Sequence, residues 1–343
     1  LYIPLHVIAT APLAGDAGDF LGKDRSLTAI EVISQHKHLV LLGDPGGGKS
    51  TALKYLTWCL ASLRLHTQAY TTEQIDCAEK LPGWQEGPLL PVLISLPELA
   101  QWIIRHASPE KERLDSYLHQ YISDIPHFAK HLQSLIRRGQ VMLLCDGLDE
   151  VTDFETRKKM LGMLRQFARN YPDTHMVVTC RVLSYSNPVL QIRGDFVTHT
   201  LAGLTLEQAQ QFIISWYTQL SDRLELKKEI ALSRANHLQR LIALGLSELW
   251  STPLLLTVLV IVHSNTGDLP REKARLYNQC CETLLWQWQE AKSDSGEPIQ
   301  ANISDVLETR LVELRSALAH LAYHNHSRQS ASDKAHDISE GEI

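Results

Sequence analysis

Leu39-Val-Leu-Leu-Gly43-Asp-Pro-Gly-Gly-Gly-Lys-Ser-Thr51 reads as the end of a strand, a glycine-rich turn and the start of a helix. Residues 43–50 match G-x-x-x-x-G-K-[ST], in which backbone N–H groups cradle phosphates, a lysine neutralises the terminal ones and a hydroxyl holds magnesium. Upstream, His38 to Leu42 reads as a buried parallel strand. Downstream, Ala52, Leu53, Leu56, Leu60 and Leu63 fall near one face of a helix over Thr51 to Leu63, whose N-terminus points at the anion. The expected nucleotide-binding residues are Gly43, Asp44, Pro45, Gly46, Gly47, Gly48, Lys49, Ser50 and Thr51, with Ser50 also a magnesium ligand. A glycine-rich surface turn that happens to carry Lys-Ser would explain neither these flanks nor the motifs downstream.

Four more apolar runs read as strands: Leu90–Ser95, Val141–Cys145, Met176–Cys180 and Phe196–Leu201. Helical patterns separate them, which predicts a parallel sheet with helices on both faces, the architecture in which a P-loop sits. A helix-like run spans Leu27 to Ser34, after a Gly/Ala/Asp loop at 14–19. Thr152-Asp-Phe-Glu155 and Thr205-Leu-Glu-Gln208 both fit the capping box at a helix start. From Thr205 on, only helical spacing recurs, as in Leu206, Ala209, Ile213, Trp216 and Leu220, so a domain boundary is placed near 200.

Two of the strands deliver chemistry at their C-terminal ends. Val141-Met-Leu-Leu-Cys-Asp146 ends in an acid that, on a strand beside the P-loop strand, would serve the magnesium held by Ser50. In Asp146-Gly-Leu-Asp-Glu150, the glycine permits close backbone approach, and Glu150 or Asp149 can polarise an attacking water. Glu150 is the favoured base and Asp149 its partner or a magnesium contact; both would also suit the first turn of a helix through its dipole. Met176-Val-Val-Thr-Cys-Arg181 places Thr179 and Arg181 at the edge where open α/β sheets bind ligands, and Arg181 reads as a γ-phosphate sensor or as a solvated surface charge. The catalytic candidates are Asp149, Glu150 and Arg181; the metal candidates are Ser50 and Asp146.

The remaining composition excludes more than it identifies. With 33 basic against 39 acidic side chains in 343 residues, bulk charge predicts no nucleic-acid partner. The six cysteines, Cys59, Cys77, Cys145, Cys180, Cys280 and Cys281, form no C-x-x-C pair and read as reduced residues of a cytoplasmic protein. The scattered histidines have no zinc spacing. Pro253 to Val262, the most apolar segment, is about half the ~20 residues needed to span a bilayer and reads as a buried helix. Leu1-Tyr-Ile-Pro-Leu lacks the basic n-region and cleavage site of a signal peptide, and the chain reads as a piece of something longer.

Taken together, Gly43–Thr51, Asp146-Gly-Leu-Asp-Glu150 and Thr179-Cys-Arg181 resemble the NACHT family of STAND-type P-loop ATPases, in a bacterial-type form related to NOD-like receptors. Leu201-Ala-Gly-Leu-Thr-Leu-Glu-Gln-Ala209 and Thr252-Pro-Leu-Leu-Leu256 resemble the opening and closing halves of that family's helical domain. The resemblance implies an α/β P-loop NTPase followed by an all-α domain and the start of a winged-helix-like domain. Its expected parts are a lead-in 1–37, a nucleotide-binding domain 38–200, a helical domain 201–290, a linker 291–303 and a partial winged-helix-like domain 304–343, the last holding an apolar helix from Val306 to Tyr323. It further implies that Pro253 packs on the nucleotide, where the plain reading is a first-turn proline opening a core helix. Lys273 stands where relatives often carry arginine, and Phe20-Leu-Gly-Lys23 matches the family's adenine-contacting element loosely.

The function implied is an ATP/ADP-binding, Mg2+-dependent signalling switch with slow hydrolysis. Nucleotide exchange would drive domain rearrangement and homo-oligomerisation, with effector and sensor modules outside this chain and a use in defence or stress signalling, innate immunity and antiviral defence included. The competing reading is an AAA+-like motor or a P-loop phosphotransferase with steady turnover. No pore loop, acceptor pocket or lid signature for either is visible in the sequence.

Overall fold

The computed structural model describes residues 2–9, 27–66, 81–106, 113–121, 126–187, 191–192, 194, 196–223, 226–245, 247–270, 272–283 and 311–328. The loop at 14–19, Phe20-Leu-Gly-Lys23 and the linker 291–303 lie outside them. The chain opens with strand β1 (Val7–Ala9), helix α1 (Ala29–Gln35), strand β2 (His38–Leu42) and helix α2 (Lys49–His66). Strand β3 (Leu90–Ser95) leads into α3 (Leu96–Arg105), α4 (Leu114–Tyr121) and α5 (Pro126–Arg137). Strand β4 (Val141–Asp146) is followed by a single 3-10 turn (Leu148–Glu150) and α6 (Phe154–Asn170), and β5 (His175–Cys180) by the short helix α7 (Val182–Tyr185). After β6 (Val197–Leu201) the described residues contain no strand, only α8 (Leu206–Asp222), α9 (Lys228–Ala243), α10 (Ser247–Trp250), α11 (Pro253–Thr266), α12 (Lys273–Glu282) and α13 (Leu311–Arg328).

The strands form one six-stranded sheet in the order β1-β6-β2-β5-β4-β3. Two expectations are corrected here. The sheet is mixed, because β1 pairs antiparallel with β6, Val7 opposite Leu201, while the other pairings are parallel. A short antiparallel strand needs no crossover helix and covers the edge that β6 would otherwise expose. The second correction is that β4 does not lie beside the P-loop strand: β5 intervenes, paired to β2 on one side and to β4 on the other. Both β4 and β5 are near-continuous buried apolar runs, and such runs carry no signal of which strand is central.

Alternation along the strands shows that both faces are covered. Val40, Leu42, Leu143, Cys145, Val178 and Cys180 join one cluster with residues of α3, α4, α5 and α6. The intervening Leu39, Leu41, Met142, Leu144 and Val177 are equally buried on the other face. Helix α2, which contributes nothing to that cluster, packs against β3 and β4.

Helix starts follow local capping chemistry. Thr205 caps α8 with a reciprocal Gln208 contact, as expected, and Thr28 does the same for α1 with Glu31. Thr152 does not cap α6; Asp153 does, its carboxylate accepting from the Thr156 amide at 2.7 Å, so that the helix begins one residue later than the Thr152 pattern implied. Helix α2 starts at Lys49, two residues before the expected Thr51, because the loop hands over directly to helical backbone.

The chain divides into two compact units, Leu1–Leu256 and Thr257–Ile343, with the division inside α11. Helices α8, α9 and α10 belong to the first unit with the sheet. In the second unit, Arg315 on α13 pairs with Glu282 of α12 at 3.0 Å. The expected apolar helix over Val306–Tyr323 is described as α13, Leu311–Arg328, and it is not a core helix: Leu318 is 38% and Tyr323 75% exposed. Among the described residues no helix is long and apolar enough to cross a membrane. The described cysteines are free thiols, buried except for Cys281.

Candidate nucleotide site

Strand β2 is wholly buried and delivers the chain into the loop at Gly43, whose amide donates to the Cys180 carbonyl of β5 at 3.2 Å. The loop then turns through left-handed backbone at Gly46 (φ 71°) and Gly48 (φ 91°). Gly46 also leaves no room for a side chain, and at Gly48 one would have to displace the tip of Leu5. A Cβ on Gly46 would lie 2.8 Å from Leu254 Cβ, and one on Gly48 would lie 2.8 Å from Leu5 Cδ1 and 3.4 Å from Pro253 Cγ. The cradle is therefore bare backbone, lined on its outer side by apolar tips. The Leu254 amide donates to the Gly46 carbonyl at 3.2 Å, fixing the start of α11 on the loop. Lys49 opens α2 and bends back over the loop, Nζ donating to the carbonyls of Gly43 at 2.6 Å and Asp44 at 3.1 Å. Asp44, Pro45, Ser50 and Thr51 are exposed on the same turn, with Gly47 half-buried among them.

The acid side is built differently. Thr179, fully buried on the central strand, donates to Asp146 Oδ1 at 2.5 Å and accepts from the Gly147 amide at 2.9 Å. One hydroxyl thus bridges β5 to the end of β4. Gly147 is again left-handed (φ 84°), and a Cβ there would meet the Glu150 carboxyl at 3.1 Å. The turn brings Asp149 to Arg181: Asp149 Oδ2 pairs with Arg181 Nε at 2.8 Å, and Oδ1 accepts from the Arg181 amide at 3.0 Å. Asp149 is buried in that pair, while the Arg181 side chain stays 39% exposed. Glu150 is exposed at the rim.

These groups share one electrostatic field. Burial holds the Lys49 ammonium below its usual range, opposed by Asp149 and Asp146 and reinforced by Arg181. Partial burial raises the Glu150 carboxyl, with Asp149 and Asp146 adding to the effect and Arg181 and Lys49 opposing it. Lys49, Asp146, Asp149, Glu150 and Arg181, read from three separate stretches, therefore meet at one sheet edge. Pro253 meets the loop itself, through Gly48.

The residues present fit a phosphate chain and its magnesium. Two left-handed glycines clear the backbone, and the helix N-terminus and Lys49 supply positive potential. Among the described residues no cluster of three or more His, Cys, Asp or Glu could cage a metal alone. A hydroxyl and one carboxylate suit magnesium that keeps waters and takes phosphate oxygens.

Some participants left little trace in the sequence. The sequence places Thr179 at the ligand-binding edge of the sheet but does not show its bridge between Asp146 and Gly147. Leu5 and Leu254, which press on the glycines, are ordinary leucines with no local signal at all.

Fold and site define a P-loop α/β domain. Residues 19–181, just under half of the chain, match the family described as Nephrocystin 3, N-terminal, and the match runs through all three motifs to Arg181. That match supports a NACHT-type reading of residues 19–181. No curated protein matches the chain. Among solved structures, C. elegans PCH-2 is similar at 14% identity over 77% of this chain and 66% of that one, with a TM-score of 0.37. Domain III of the Thermotoga maritima replication initiation protein DnaA is similar at 13% identity over 70% of this chain and 83% of that one, also with a TM-score of 0.37.

Proposed function

We propose that this chain binds ATP and ADP on residues 43–51 and hydrolyses ATP slowly with Mg2+, as a nucleotide-dependent switch of the STAND type. The observation that carries the reading is the meeting of three separate motifs at one sheet edge, with Lys49, the acids of 146–150 and Arg181 each within the others' field. Lys49 neutralises the terminal phosphates. Ser50 and Asp146 would hold magnesium, whose charge offsets that on the phosphate oxygens. Both oxygens of Asp149 are engaged by Arg181, so Glu150 is the acid left to take a proton from water, and its raised pKa makes it a stronger base than an ordinary glutamate. The Arg181 side chain, 39% exposed, would turn its guanidinium charge toward a γ-phosphate.

Pro253 and Leu254 give the switch its lever, because whatever moves the glycine loop also moves the start of α11. In this reading the helical region 201–290 rearranges with nucleotide state, 291–303 links it to the winged-helix-like part at 304–343, and activated copies self-associate. Effector and sensor modules lie outside these residues, in a cytoplasmic protein of defence or stress signalling. Purified wild type is expected to retain ADP, and Lys49→Ala to lose it, read by chromatography of nucleotide released on denaturation. Rapid multiple turnover by the monomer would contradict the switch and favour a motor or phosphotransferase.

A further inference from the structure

Arg157 on α6 is 6% exposed, and among the described residues no carboxylate pairs with it. Its Nη2 donates to the Ser184 carbonyl at 3.2 Å and faces Cys180 Sγ at 3.8 Å, while its Nε has no acceptor. A guanidinium taken out of water without a counter-charge is costly, and a residue of similar volume and no charge would pack there at lower cost. The position matters because of what it joins. Helix α6 follows the turn that carries Asp149 and Glu150, and Arg181 is the residue that precedes α7, in which Ser184 lies. Cys180, the second contact, is the last residue of β5 and the immediate neighbour of Arg181. The acid motif and the arginine motif are thus tied twice, in front by the Asp149–Arg181 pair and behind by Arg157.

We propose that Arg157 is a positioning residue for Arg181: by holding α7 and the end of β5 against α6, it keeps the Arg181 backbone and guanidinium on Asp149. The catalytic consequence rests on the nucleotide-site reading; the structural one does not. Two variants separate the claims. Arg157→Met keeps volume without charge, and Arg157→Lys keeps charge but is shorter and lacks the planar guanidinium whose Nη2 meets both Ser184 and Cys180.

The first readout is hydrogen exchange of the Arg181 amide, followed by NMR. It is expected to quicken about tenfold in both variants while the Ala52 amide at the start of α2 is unchanged. The second is nucleotide chemistry. Labelled-ATP affinity is expected to stay within about threefold of wild type while single-turnover hydrolysis falls about tenfold, and adding Arg157→Met to Arg181→Ala is expected to slow hydrolysis no further. Unchanged Arg181 exchange in a folded variant, or additive losses in the double variant, would overturn the proposal. If Arg157→Met does not fold, Arg157→Lys decides by the same two readouts. If wild type binds no ATP, the functional reading fails while the exchange result still judges Arg157.

Discussion

The two sides of the site are held by opposite means. The glycine loop is fixed by shape: Leu254 closes Gly46 to any side chain, Leu5 and Pro253 pack on Gly48, and its directional contacts run mostly to backbone carbonyls. The acid edge is fixed by polarity, through the Thr179 hydroxyl, the Gly147 amide and the Asp149–Arg181 pair. The loop should therefore resist changes of polarity in its neighbours and fail on added volume. The acid edge should do the reverse.

Gly46→Ala tests the first half and carries the largest expected effect. It adds a side chain at φ 71° and 2.8 Å from Leu254 Cβ, so labelled-ATP binding should be lost. Pairing it with Leu254→Ala removes the 3.0 Å contact with Leu254 Cδ2 but keeps the 2.8 Å contact with Cβ and the backbone strain, so binding should stay lost, and full recovery would mean that shape matters less than we argue. Thr179→Val tests the second half at constant volume. It leaves the Gly147 amide buried without an acceptor and Asp146 without its donor, and should cost about 1–3 kcal/mol in denaturant unfolding. Thr179→Ser should recover most of that, since the hydroxyl is retained.

A smaller and more local effect concerns pH. Glu150 must be ionised to take a proton, and its pKa lies above the ordinary 4.5, so single-turnover hydrolysis should fall with acidification through a midpoint above that value. Glu150→Gln should abolish that limb of the profile. The smallest change is at the cap of α6, where Asp153→Ala should lower the denaturant midpoint slightly and leave nucleotide binding unaltered.

What was legible in the sequence follows the same division. The loop could be read residue by residue because its chemistry demands glycines, lysine and hydroxyl at fixed spacing, and the strand-ending acids stood out against apolar runs. The adjacency of β5 to β2 could not be read, since six buried residues look alike wherever they pair. The antiparallel strand Val7–Ala9 is too short to show a period, and the contacts of Leu5 and Leu254 with the glycines join residues far apart in the chain. Capping at Asp153 was obscured by a competing Thr152 pattern one residue earlier, where the stronger acceptor won.

The central claim is that the loop binds nucleotide while the acid edge acts on it, and Glu150→Gln separates the two in one pair of measurements. Equilibrium binding of labelled ATP and single-turnover phosphate release would be followed on the same sample. The account predicts affinity within about threefold of wild type and release slowed about a hundredfold. Release at the wild-type rate from a variant that still binds ATP would contradict it.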